Sequence, residues 1–415
     1  MSLSLDERFK ALNKTVPVVD THNDFPYLLR SQLHYELHKD PKFDFDSVLT
    51  CHTDLVRMRQ GGLGVQFFSC WIECQGDTEL YEDFNTTSAI VRDTLEQIDV
   101  VRRLVDDYSH KMKFVTTADE ALQSYRDSDN EVISITLGVE GLHQCDTSLC
   151  VMRQYYDLGV RYITITHNCD NPFATSAYSI SCGREDKGLS EFGVDAIKEM
   201  NRLGMIVDLS HVSHKTMVDV LKIAKAPVMF SHSSAYSLTQ HERNVRDDVL
   251  QMVKANGGVV CINFYPGFIK KHGDSLDDVT IEDAAAHVKH IVDTIGWDYV
   301  GIGSDFEGIP TGPKGLEDVS KYPDLVKLVW RETNATEEDI SKFMGLNVLR
   351  VWKDCERVSS KLRSSTKPVE SNWDGRAWNF QEYVKGMAEL YPGAKKLHRN
   401  NYTGKQCIAF PGNEK

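Results

Sequence analysis

One unit recurs along most of this chain: an amphipathic helical segment, a glycine at its end, a run of β-branched and apolar residues, and a polar tip. TDLVRMRQGG leads into GVQFFSCWI, YDLG into RYITITH, MNRLG into MIVDLSH, VKANGG into VVCINFY, and DTIG into WDYVGIGSD. A glycine just past a helix supplies the left-handed conformation that ends it, so each junction is a helix-to-strand turn with a physical cause. Adding PVVDTH, PVMFSHSS, and EVISITLGVEG behind its TADEAL capping box brings the strand total to eight. Most of the runs are continuously apolar instead of alternating, as in parallel strands buried on both faces. The α/β pattern therefore predicts a (β/α)8 TIM barrel over residues 1–358, with an open doubly wound sheet as the alternative. No GxGxxG follows the first strand, so nothing favours the dinucleotide-binding version. Residues 359–415 carry NWDGRAWNF, EYVKGM and LYPGA without the repeat. They are read as a C-terminal extension of the same domain, packed on the barrel.

Composition excludes several functions. The 415 residues carry a formal net charge of -14 and no block of Lys and Arg, which argues against nucleic acid and for a small-molecule substrate. MSLSLDERFKALNKT reads as a short polar helix without the apolar core of a secretory signal, no apolar run is long enough to span a membrane, and FPGNEK is polar. The expectation is a cytoplasmic protein without membrane attachment, a homodimer being left open. Ten cysteines in so long a chain do not make a disulfide scaffold, and the close pairs Cys70 with Cys74 and Cys145 with Cys150 lack zinc-finger partners. The sequons at Asn13, Asn85, Asn334 and Asn401 are expected to stay unmodified.

In a barrel the active site lies at the C-terminal ends of the strands, so the polar tips carry the chemistry. They are His22 and Asp24, Glu140, His167, His211, His232 and Asp305. Singly, each has an ordinary explanation as a helix cap or a satisfied polar group. Together they are costly to bury side by side unless cations neutralise them. Residues i and i+2 of a strand point the same way, so His22 and Asp24 converge on one point. They would hold one divalent ion, His211 and His232 another, and Glu140 would bridge the two. Imidazole and carboxylate ligands with open positions for water suit Zn²⁺ and hydrolysis.

These stretches resemble the membrane dipeptidase (renal dipeptidase) family of amidohydrolase-type barrels. The matching segments are DTHNDFP, GVEGLH, YITITHNCDNPFA, VDLSHVS, PVMFSHSSAYSLTQHERNVRDD, INFYPGFI, GIGSDFEG and GLNVLRVW. The resemblance implies a metallodipeptidase with His22, Asp24, Glu140, His211 and His232 as metal ligands and two divalent ions, Zn²⁺ first among candidates. It implies that His167 holds the oxyanion, that Arg243 clamps the substrate's free carboxylate, that Asp305 moves the proton to the leaving amine, and that Tyr265 lines the substrate site. A clamp at fixed distance from the metals would measure substrate length, admitting dipeptides such as Cys-Gly and its S-conjugates from glutathione breakdown. GVEGLH departs from the family's GVEGG form, leaving the shape of that loop open. Cys74 and Cys169 fall where secreted relatives place a disulfide; in a reducing cytosol free thiols are expected. His143 and His214 are expected to face solvent, and Asp170 and Arg246 to be loop or surface charges. The alternatives are a lactamase or N-acyl amino acid hydrolase on the same barrel, and a non-catalytic metal-binding or ligand-binding protein.

Overall fold

The computed structural model describes residues 3–74, 89–271, 273 and 275–376, together with the backbone of Trp378–Gln381 and Tyr402–Lys405. In chain order the strands of the main sheet are β1 Val18–Asn23, β2 Leu63–Cys70, β3 Met112–Phe114, β4 Ile133–Glu140, β5 Val160–Thr164, β6 Ile206–Asp208, β7 Met229–Phe230, β8 Val259–Ile262 and β9 Val300–Ile302. They are all parallel, in the order β2-β1-β9-β8-β7-β6-β5-β4, and pairing of β2 with β4 closes the ring. The result is the (β/α)8 barrel, and closure removes the open doubly wound alternative. β3 is additional to the eight strands expected. It pairs with the start of β4, from Met112↔Ile133 to Phe114↔Ile135, while β5 takes the end of β4, from Leu137↔Val160 to Glu140↔Thr164.

The helix-to-strand turns form as their glycines require. Gly204 ends helix Glu191–Leu203 at φ 87, and Gly257 ends helix Asp247–Asn256 at φ 78, each handing the chain directly to the next strand. Thr117 caps helix Ala118–Asp127 by accepting the Glu120 N–H at 3.2 Å, but Glu120 reaches back to the Thr116 N–H, one residue before the box expected.

Two apolar cores hold the barrel. One lies between the strands and the surrounding helices. The other fills the N-terminal end of the barrel, where Val19, Phe67, Tyr162, Met229 and Cys261 pack with Val348, Val351, Trp352 and Cys355 of helix Asn347–Ser365. Trp352 is fully buried, 5.3 Å from the Phe67 ring. That helix, carrying the GLNVLRVW motif, plugs the bottom of the barrel and leaves the opposite end free for chemistry.

Beyond residue 358 the described chain lies along helix Glu191–Leu203. Ser359 Oγ donates to the Arg202 carbonyl at 2.7 Å, and the Val369 N–H donates to Glu199 at 3.0 Å. Glu199, fully buried, also pairs with Arg153 and Arg202. Strands Trp378–Gln381 and Tyr402–Lys405 pair in parallel with each other. All of EYVKGM and LYPGA, with Asn85 and Asn401, lie outside the described residues. Among the described residues no helix is long and apolar enough to cross a membrane.

Candidate active site

Asp24 shows why its neighbourhood is not ordinary. It stands at the N-cap position of helix Phe25–Leu33, yet its side chain makes no capping bond. It turns instead to His22, with Oδ2 3.2 Å from His22 Nε2, and its Oδ1 is buried without a partner. At the end of β4, Glu140 Oε1 lies 2.9 Å from His211 Nε2, 3.2 Å from His232 Nε2 and 3.6 Å from His22 Nε2. His211 and His232 Nε2 are themselves 3.0 Å apart. Asp305 Oδ1 comes within 4.0 Å of His22 Nε2, and its Oδ2 accepts from Asn263 at 2.7 Å. His211 and Asp305 sit at φ 67 and φ 66, a region costly for residues other than glycine and enriched at functional sites.

A layer beneath sets the tautomers. Ser231 Oγ donates to Asp208 Oδ2 at 2.6 Å, so it accepts from His232 Nδ1 at 2.8 Å and leaves Nε2 as a bare lone pair facing Glu140. His22 Nδ1 is held by the Tyr162 hydroxyl at 2.8 Å. Asp20 and Asp208 anchor this layer from within β1 and β6.

The electrostatics ask for cations. Burial lowers the His22 pKa, but Asp24 and Glu140 outweigh it and lift it to about 10. Burial drives His211 and His232 well below the usual range, helped by Arg243 at the first and by the His22 charge at the second. Burial also pushes Glu140 well up, and raises Asp305 to about 6. Buried carboxylates facing the neutral imidazoles of His211 and His232, with Asp24 Oδ1 orphaned beside His22, make a donor set that fits divalent metal ions.

The ring floors a cavity of about 680 Å³, within the range of small-ligand sites. His167 lines it, its ring 4.5 Å from His211 and 5.1 Å from Trp71, and its pKa is pushed well below normal by burial and then by His143. Arg243 lines it too, 4% exposed, with Nε unpartnered and only long bonds, 3.5 Å to Ser233 Oγ and 3.3 Å to the His232 carbonyl. Tyr265 completes that side. All nine expected site residues are thus brought to one place; His22 and His232 lie fully buried beneath the lining.

Sequence reading missed part of the site. Tyr27, Trp71, Tyr178 and Phe268 form aromatic walls, and Glu73, His241 and Glu307 add polar groups. Asp20, Asp208 and Tyr162 were detectable in principle, as polar groups inside strands that are apolar on both faces. Two expectations are overturned. Cys74 and Cys169 form a disulfide, their thiols brought together at the cavity wall by the chain after β2 and the tip of β5. His143 does not face solvent: it is fully buried, because the turn Leu142–Cys145 folds inward and its Nε2 bonds the Ile72 carbonyl at 2.9 Å. In the same loop Gly141 takes φ 110, and a side chain there would strike His143 Nδ1, while Leu142 simply enters the core. His214 is half-buried beside Asp248, Asp170 accepts a loop N–H from Ser176, and Arg246 pairs with Glu242.

The closed barrel and its ring of histidines and carboxylates define a metal-dependent hydrolase class. Residues 6–366 match the model of the membrane dipeptidase family (peptidase family M19), and the chain belongs to that family as a metallodipeptidase. It is 61% identical over 395 residues to uncharacterized dipeptidase C965.12 of Schizosaccharomyces pombe, covering 95% of this chain and 94% of the relative. It is 42% identical over 383 residues to dipeptidase verJ of Clonostachys rogersoniana, covering 90% and 95%. Among solved structures, a Rhodobacter sphaeroides metallopeptidase holding a phosphinate mimic of L-Ala-D-Ala superposes with TM-score 0.71 at 26% identity, covering 82% of this chain and 99% of that one.

Proposed function

We propose that this metallodipeptidase is a binuclear zinc enzyme that cleaves small dipeptides with a free C-terminal carboxylate, with Cys-Gly and its S-conjugates as the first candidates. The observation that carries the reading is one carboxylate oxygen, Glu140 Oε1, within 3.6 Å of three imidazole nitrogens, in the same cavity as an Arg243 guanidinium that has no carboxylate partner among the described residues. His22 and Asp24 would hold one ion, His211 and His232 the other, and Glu140 both. When bound, the ions supply Lewis acidity and a water acidic enough to attack an amide near neutral pH.

The remaining work belongs to the side chains. Arg243 binds the substrate carboxylate with its planar fork and fixes the peptide's direction. His167, kept neutral by burial, donates to the carbonyl oxygen as negative charge develops there. Asp305, held by Asn263, carries the proton to the departing nitrogen. Tyr265 shapes the carboxylate end of the cavity. The dipeptide mimic bound by the Rhodobacter sphaeroides relative supports a ligand of this length. Residues 1–358 are taken as the catalytic barrel and 359–415 as an extension of the same domain.

Elemental analysis combined with a turnover screen tests the reading. Two zinc ions per chain and turnover of dipeptides but not tripeptides or N-acyl amino acids are expected. Rapid N-acyl amino acid hydrolysis would transfer the site to the alternative amide substrate. We place the enzyme in the cytoplasm. Fractionation of intact cells tests that placement: activity in the soluble cytosolic fraction is expected, and activity confined to the membrane or secreted fraction would overturn it.

A further inference from the structure

His143 is a buried imidazole with one nitrogen unused. The Ile72 carbonyl can only accept, so His143 Nε2 carries the proton of their 2.9 Å bond and Nδ1 is a bare lone pair. That Nδ1 is buried and has no partner. His143 is grouped with Cys74 and Cys169, one potential ligand atom from each lying within 4.8 Å of the other two. Cys74 lines the catalytic cavity, so reductant and small ions reach the pair from there, while Cys169 and His143 are fully buried behind it.

We propose that Cys74, Cys169 and His143 form a redox-gated site for a thiophilic divalent cation of the zinc class, distinct from the ring around Glu140. The disulfide form is closed to metal. A dithiol reductant transfers two electrons, breaks the Sγ–Sγ bond and is itself oxidised to a disulfide, leaving two thiols. Binding of the ion then displaces their two protons, giving two thiolate ligands and the waiting Nδ1. This is a closed-shell set of two sulfurs and one nitrogen, with a fourth position toward the cavity. His143 sits ready in its metal-binding tautomer, oriented by the Ile72 carbonyl as a ligating histidine is oriented by its outer hydrogen bond.

The experiment uses the full-length protein with its catalytic ions already saturated, and needs no assay of hydrolysis. One half is kept oxidised; the other is reduced with excess dithiol and desalted without oxygen, and both are titrated with Co²⁺ and with Zn²⁺. The expected result is one further ion per chain in the reduced form only, with thiolate-to-cobalt charge-transfer absorption in the near ultraviolet. Cys169→Ser should abolish the further ion, and His143→Gln should weaken it by more than about 10-fold, the loss that even an outer-shell change produces. No further ion on reduction overturns the proposal, as does a further ion that persists undiminished in Cys169→Ser. The oxidised and reduced arms share one chain, so the comparison stands even if a variant fails to fold.

Discussion

Two layers of buried carboxylates lie a few residues apart in this barrel, and only one is saturated. Asp20, in the lower layer, accepts from the N–H groups of His22 and Ser304, the hydroxyls of Ser304 and Tyr322, and the Gln66 amide. Asp208 accepts from the N–H groups of Ser210 and Ser231 and from the Thr164 and Ser231 hydroxyls. In the upper layer, Asp24 leaves one oxygen unpartnered and Glu140 meets imidazole nitrogens that need neutral lone pairs. Burial is nearly equal in the two layers, so burial does not mark the active site. The shortage of protein donors does: a saturated carboxylate is structural, whereas an undersupplied one awaits a cation.

The sharpest test substitutes one member of each layer. Glu140→Gln should lose metal and at least about 10,000-fold in kcat/KM, while Asp20→Asn should keep both ions and instead lose about 3 kcal/mol of stability through mispaired donors. Metal content and chemical denaturation separate the outcomes, and metal loss in Asp20→Asn alone would erase the distinction. Next in size, Asp305→Asn should retain its metal but lose roughly 1,000-fold in kcat, as expected for a proton carrier. Loss of an ion in that variant would make Asp305 a ligand.

A buried histidine outside both layers supplies the control for acid sensitivity. His287 accepts the Ala235 N–H at 3.0 Å, and burial lowers its pKa to about 4. The folded value lies below the unfolded one, so this neutral imidazole contributes its full stability above pH 6.5 and loses it as pH falls toward 4. The loss amounts to about 3 kcal/mol. Denaturation curves of wild type and His287→Gln should therefore converge on acidification; parallel curves would assign acid unfolding elsewhere.

Smaller effects refine the roles within the upper layer. Arg243→Ala should raise KM about 30-fold with little change in kcat, since it removes binding common to ground and transition states. Ser231→Ala, which cuts the link between layers, should weaken metal binding by about 10-fold while leaving turnover at saturating metal nearly intact.

Much of the barrel was legible because its cause is local. A glycine that ends a helix and a β-branched run that needs both faces covered act within a few residues, and their repetition left few architectures. β3 escaped because three residues, Met112–Phe114, carry too little pattern to separate from a loop. The clustering of the proposed ligands was legible because strand tips in this fold share one rim, so position along each strand fixed position in space. The aromatic walls were not, since Trp71 and Phe268 have the composition of ordinary core residues.

By itself the sequence determined the repeat, the rim and the residue types that chemistry there would need. Only the tertiary structure decided how those groups are partnered. It turned Asp24 away from its helix cap, set Ser231 beneath His232, buried His143 with a free lone pair, and joined Cys74 to Cys169. The physical reason is range: turn and burial preferences act between near neighbours, whereas a hydrogen bond or disulfide depends on ångström distances between strands that only the closed barrel fixes.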